Sequence, residues 1–152
     1  MKPFALVACL LVAVASPSAA KDHALPFKPV TGAFFALSVP NMAESVQWYQ
    51  EKLGLKVVME VKTGPEVTVL EGGGLIVELI RVPDSRPRPE PSVSTLGVFK
   101  AGFLVKEYDS AVAELRARGV TIAFGPFPAQ NGQRANVLIR DNAGNLIQLF
   151  AD

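Results

Sequence analysis

The chain is written twice. Displaced by 66 residues, "FFALSVPNMAESVQWY" (34–49) falls on "KAGFLVKEYDSAVAEL" (100–115), so that Val39 meets Val105, Val46 meets Val112 and Tyr49 meets Leu115. Each copy then reaches a glycine, Gly54 or Gly119, followed by Leu55 or Val120. A supersecondary unit repeated at this period cannot bury its apolar face alone, so the copies must pack on one another. No other feature of the sequence narrows the fold as much.

Each copy opens with a strand, Ala33 to Val39 or Val98 to Val105, and continues into a helix. Asn41 is placed to cap the first helix, with Glu44 three residues on as in a capping box. Val46, Tyr49 and Leu53 recur at spacings of three and four, the track of an amphipathic helix that Gly54 ends. Val112, Leu115 and Arg118 repeat that track up to Gly119. Three strand-like runs follow in each copy. They are Leu55 to Val61, Glu66 to Leu70 and Leu75 to Arg81, then Val120 to Phe124, Arg134 to Arg140 and Leu146 to Phe150. Turn residues separate them at Thr63-Gly64-Pro65, Gly72-Gly73-Gly74, Asn131-Gly132 and Asp141-Asn142-Ala143-Gly144. The pattern is α+β: two βαβββ modules, about 32–82 and about 96–151, joined by a Pro-rich link at about 83–95. Their curved sheets are expected to pair around a shared cleft.

The residues before the repeat belong to export, not to the fold. Lys2, the apolar stretch Phe4 to Ala15, and Ser18-Ala19-Ala20 make up a secretory signal peptide over 1–20, too short to span a membrane. The mature chain then starts near Lys21 with a flexible stretch to about 31, and is expected to be secreted or periplasmic. Leu6-Val7-Ala8-Cys9 resembles a lipobox, but its apolar core follows the cysteine instead of preceding it. Cys9 is the sole cysteine and His23 the sole histidine. The mature chain therefore has no thiolate, and its one imidazole lies in a segment broken by Pro26 and Pro29. A Ser–His–acid triad is excluded for want of a histidine in the repeat. Gly72-Gly73-Gly74 leads into a strand and not a helix N-terminus, so it is no phosphate loop. The formal charge is +1 without a basic run, which gives no reason to expect nucleic acid or, after signal cleavage, a membrane as partner.

The stretches "ALSVPNMAESVQWYQEKLGL" and "GQRANVLIRDNAGNLIQLF" resemble the opening strand–helix and the closing hairpin of the vicinal oxygen chelate superfamily, which holds the glyoxalases, extradiol dioxygenases and bleomycin-resistance proteins. The resemblance spans about residues 30 to 151. It implies a metal-binding cleft with ligands at the positions of Phe34, Glu78, Lys100 and Gln148. Here the pattern departs from the family, because Phe34 has no donor atom and the Lys100 ammonium has no lone pair. The expectation is a domain without the family's metal and with no other cofactor.

Gln148 in the middle of an apolar terminal strand thus reads as a cleft residue, since a buried amide needs partners. Strand alternation puts Phe34 on one face with Ala36 and Ser38, Glu78 with Ile76 and Ile80, Lys100 with Gly102 and Leu104, and Gln148 with Leu146 and Phe150. Glu78 and Lys100 are expected either to pair in place of the metal or to grip a polar ligand as well. The candidate ligand-binding set is Phe34, Ser38, Glu78, Lys100, Gln148 and Phe150. Tyr49 reads as core, Trp48 as either a packing residue or a surface anchor, and Arg140 as the partner of Asp141 in a turn ion pair. Two functions remain: a metal-free binder of an apolar or amphipathic small molecule, or a glyoxalase-type lyase, isomerase or dioxygenase with a rearranged metal site. A homodimer, with modules paired within or between chains, stays open.

Overall fold

A computed structural model describes residues 34–81, 84, 86, 94 and 96–152. The expected signal peptide at 1–20, the stretch at 21–31 with His23, and most of the Pro-rich link lie outside the described residues.

Both copies fold as βαβββ. The first comprises β1 (Phe34–Ser38), α1 (Met42–Leu53), β2 (Lys56–Val61), β3 (Glu66–Gly72) and β4 (Leu75–Arg81). The second comprises β5 (Ala101–Val105), α2 (Tyr108–Ala117), β6 (Thr121–Phe127), β7 (Asn136–Arg140) and β8 (Leu146–Ala151). The two sheets run in the orders β1-β4-β3-β2 and β5-β8-β7-β6. The first strand of each copy lies parallel to its last, and the other neighbours are antiparallel.

Local chemistry sets the element ends. Asn41, in extended conformation, accepts a bond from the Glu44 amide at 3.3 Å and donates to the Glu44 carboxylate at 2.8 Å. Asn41 caps the helix as expected, but the Glu44 carboxylate takes the Asn41 side-chain amide and not the backbone N–H of a capping box. Gly54 closes the helix at φ 74°, a left-handed conformation that suits glycine. The second copy is less regular. Glu107 precedes α2 at φ 48° without a side-chain cap. The strands β5 and β7 begin at Ala101 and Asn136, later than periodicity alone indicates. Gln130 and Gln133 bond each other across the Asn131-Gly132 turn, at 2.8 and 3.2 Å. This local closure separates Arg134 from the ladder.

One apolar cluster joins the modules. Val39, Met42, Tyr49, Leu70, Val77 and Leu79 from the first copy share it with Val112, Leu115, Val137, Ile139, Ile147 and Leu149 from the second. All lie on the helix side of their sheets or on the helices. Trp48 packs half-buried against this cluster, its ring edge-on to Tyr49 at 4.9 Å between centroids.

The polar joint runs through α1. Tyr49 is fully buried, as its place on the apolar track suggested, and its hydroxyl donates to Asp141 Oδ2 at 2.9 Å. Asp141 also accepts from the Ala143 amide (3.0 Å), the Asn145 amide (2.8 Å) and Asn145 Nδ2 (2.8 Å). One turn earlier on the helix, Ser45 Oγ accepts from Asn142 Nδ2 at 3.1 Å. Asp141 thus turns inward, and the expected Arg140–Asp141 ion pair is not formed. Arg140 Nη1 instead donates to the Gly144 carbonyl at 2.9 Å, because the carboxylate is already held by its own turn. At the far end of α1, Lys52 donates to the Arg118 carbonyl.

Burial and the adjacent Asp141 push the Tyr49 hydroxyl above its ordinary pKa of 10.0. Folding therefore favours the neutral phenol. Its contribution is complete below pH 10 and is lost as pH rises beyond that, by at most about 1.4 kcal/mol per pH unit. Tyr49→Phe should lower stability near neutral pH by about 1–3 kcal/mol. It should also flatten the fall of stability above pH 10. Urea melts of both proteins between pH 7 and 11 check both effects.

Candidate functional site

The sheet faces turned away from the helices hold the predicted cleft residues. On the first sheet, β1 presents Phe34, Ala36 and Ser38 to solvent, with Phe34 62% exposed. In register beside them, Ile76, Glu78 and Ile80 of β4 are half-buried. The parallel ladder places Ala36 opposite Glu78, so a small residue leaves the carboxylate accessible. Among the described residues Glu78 has neither a hydrogen-bond nor an ion-pair partner.

On the second sheet the register brings together Gly102 and Gln148, Gln148 and Leu138, Phe150 and Asn136, and Asn136 and Phe127. Leu104 and Phe124 flank this centre at 56% and 52% exposure. The centre of this face is apolar apart from one amide pair, with Arg140 and Thr121 at one end of it. Gln148, only 5% exposed, donates from Nε2 to Asn136 Oδ1 at 2.8 Å. Asn136 in turn donates from Nδ2 to the Arg134 carbonyl at 3.2 Å. That second bond orients the whole chain: Asn136 can offer Gln148 only its oxygen, and Gln148 must answer with its nitrogen. Gln148 Oε1 is left buried and without a donor among the described residues.

The structure therefore keeps Gln148 and Phe150 on the face of one sheet turned from its helix, and Phe34, Ser38 and Glu78 on that of the other. Lys100 departs from expectation. It lies just ahead of β5, outside the ladder and exposed, with its ammonium 5.7 Å from the centre of the neighbouring Phe99 ring. It forms no ion pair with Glu78. A charged side chain at a strand's entrance keeps its hydration and has no need of a buried partner. Asn136 is the residue that sequence reasoning missed. Its signal was alternation along the penultimate strand, which puts Asn136 on the face of Leu138 and diagonal to Gln148 across the hairpin.

These residues do not fit a divalent metal of the kind the sequence resemblance implied. Phe34 offers no donor atom, the Lys100 ammonium offers none, and Gln148 could offer only its amide oxygen. Glu78 and one amide oxygen fall short of a metal's first shell. Among the described residues no three His, Cys, Asp or Glu side chains converge. A separate groove of about 660 Å³ lies where α2 meets the strand before β7, lined by Tyr108, Ser110, Pro126, Phe127, Ala135 and Ala151 among others. Of the predicted site residues, none lines it.

The sequence profile of the glyoxalase/bleomycin resistance protein/dioxygenase superfamily matches residues 32–149, the whole of the repeat. The chain belongs to this superfamily. No curated protein matches it by sequence. Solved structures share the superfamily's fold at low identity. A glyoxalase family protein from Enterococcus faecalis superposes with a TM-score of 0.65 at 21% identity, over 77% of this chain and 94% of that one. A glyoxalase/bleomycin resistance protein/dioxygenase domain from Frankia sp. EAN1pec gives 0.66 at 16% identity, over 82% and 93%. The fosfomycin resistance protein FosX from Listeria monocytogenes, solved with Mn(II) and 1S,2S-dihydroxypropylphosphonic acid, gives 0.57 at 14% identity, over 81% and 90%. The manganese belongs to that protein.

Because Glu78 and Lys100 do not meet, Glu78→Gln and Lys100→Met should each change stability by less than about 1 kcal/mol. The double variant should equal the sum within about 0.5 kcal/mol. A double-mutant cycle by denaturant melts checks this, and a coupling above that margin would contradict the placement of Lys100.

Proposed function

We propose that this chain is an exported small-molecule-binding member of the superfamily that works without the metal, holding an apolar or amphipathic molecule on its open sheet faces. One observation carries the reading. The positions that resemblance assigns to metal ligands hold Phe34, Lys100, Glu78 and an amide already bonded to Asn136, while Leu104, Phe124, Phe127 and Phe34 expose apolar surface around them. Apolar walls with a few fixed polar groups are the usual composition of small-molecule sites. A site of this kind binds by area removed from water, at roughly 25 cal/mol per Å² before the costs of association. The exposed aromatic residues also support a homodimer, in which a second copy would cover part of these faces. Export rests on the composition of residues 1–20.

The mature protein, dialysed against a chelator, should retain no stoichiometric transition metal by elemental analysis. It should still bind an environment-sensitive apolar dye with unchanged affinity when Mn(II), Zn(II) or Ni(II) is added. Tight metal retention, or metal-dependent turnover of a hemithioacetal or catechol, would overturn the reading in favour of a superfamily enzyme with a rearranged site. N-terminal sequencing of the exported form should begin near Lys21.

A further inference from the structure

The Gln148 amide has a polarity that the fold cannot reverse without breaking bonds. The Arg134 carbonyl takes the Asn136 nitrogen, the Asn136 oxygen takes the Gln148 nitrogen, and the series ends on a buried oxygen. An acceptor left unpaired in a protein interior is destabilising. On one side of Gln148 in the ladder stands Gly102, which has no side chain to lay over the amide. A Cβ there would come within 3.2 Å of the Gln148 backbone oxygen. On the other side stands Leu138, and one strand further out Phe124 pairs with Leu138 and Phe127 with Asn136, adding exposed apolar surface.

We propose that Gln148 Oε1 is the ligand's polar anchor, and that the site selects aromatic or otherwise apolar molecules carrying a hydrogen-bond donor, a hydroxyl or N–H, over analogues that present only an acceptor. Asn136 is the positioning residue that holds the amide in its accepting orientation. The inference rests on the cleft-binding reading above and specifies the ligand class that reading leaves open. A donor aimed at Oε1 gains a bond without displacing a competing protein donor. An ether or carbonyl oxygen in the same place would face the acceptor's lone pairs.

Matched probes test the idea on the mature protein: phenol against anisole, and indole against N-methylindole, with Kd read by titration in ligand-observed NMR. Each donor should bind about tenfold more tightly than its methylated partner, the scale of one net hydrogen bond. Gln148→Met should abolish that ratio while keeping anisole affinity within about twofold, and its melting temperature without ligand should fall no further than that of Asn136→Leu, which loses the same amide–amide bond. Asn136→Leu, which frees the amide to rotate, should reduce the ratio to about twofold or less. Equal binding of donors and methylated probes to the unmodified protein would overturn the anchor and leave the cleft-binding reading intact. Failure of every probe and of the apolar dye to bind would overturn both. A drop in the melting temperature of Gln148→Met well beyond that of Asn136→Leu, or a change in its oligomeric mass, would show that a protein group uses the oxygen and would overturn the anchor as well.

Discussion

The hydrogen bond from Tyr49 to Asp141 is the constraint on which the two-module architecture turns. It joins residues 92 apart in sequence, one on the helix of the first copy and one in the last turn of the second, and both are buried. Asp141 is at the same time the centre of its own turn, accepting from Ala143 and Asn145. Docking of the modules and closure of the final hairpin are therefore one event. Loss of either would strand polar atoms in an apolar cluster, which is expensive in a low-dielectric interior.

This joint also breaks the symmetry of the repeat. Ser45 and Tyr49 sit one turn apart on α1 and bond to Asn142 and Asp141, the first as acceptor and the second as donor; the corresponding residues of α2 are Ala111 and Leu115, which carry no polar side-chain group. The corresponding hairpin turn of the first copy is Gly72-Gly73-Gly74, without side chains to accept. The copies share a fold, but α1 reaches the other module with polar groups from its middle, whereas α2 does so at its end, where Arg118 meets the Glu51 and Lys52 carbonyls.

The same asymmetry appears on the faces turned from the helices. Glu78 sits beside Ala36 with no described partner, and Gln148 sits beside Gly102 with one half of its amide engaged. In both sheets the residue next to the polar group, on the parallel first strand, is small. The exposed phenyl groups and Leu104 surround these points with surface that gains from being covered. What these faces present is apolar area, one carboxylate and one oriented amide.

Much of this was legible in the sequence. Repetition gave two modules, the capping pair Asn41–Glu44 gave the start of α1, and alternation placed Phe34, Ser38, Glu78, Gln148 and Phe150 on the faces away from the helices. Those features follow from backbone periodicity and from contacts a few residues apart, which a linear reading can count. Whether Lys100 joins the ladder, which group Asp141 accepts from and what satisfies the Gln148 nitrogen were decided only by tertiary structure. Periodicity tells which side of a strand a residue takes but not the residue at which pairing begins, so Lys100 fell outside β5. The Tyr49–Asp141 and Asn136–Gln148 bonds depend on register and docking angle to within a few tenths of an ångström, and no local pattern encodes that distance. The sequence alone settled the scaffold; the orientation of its one buried amide, and hence the polarity of the site, came from three-dimensional contact.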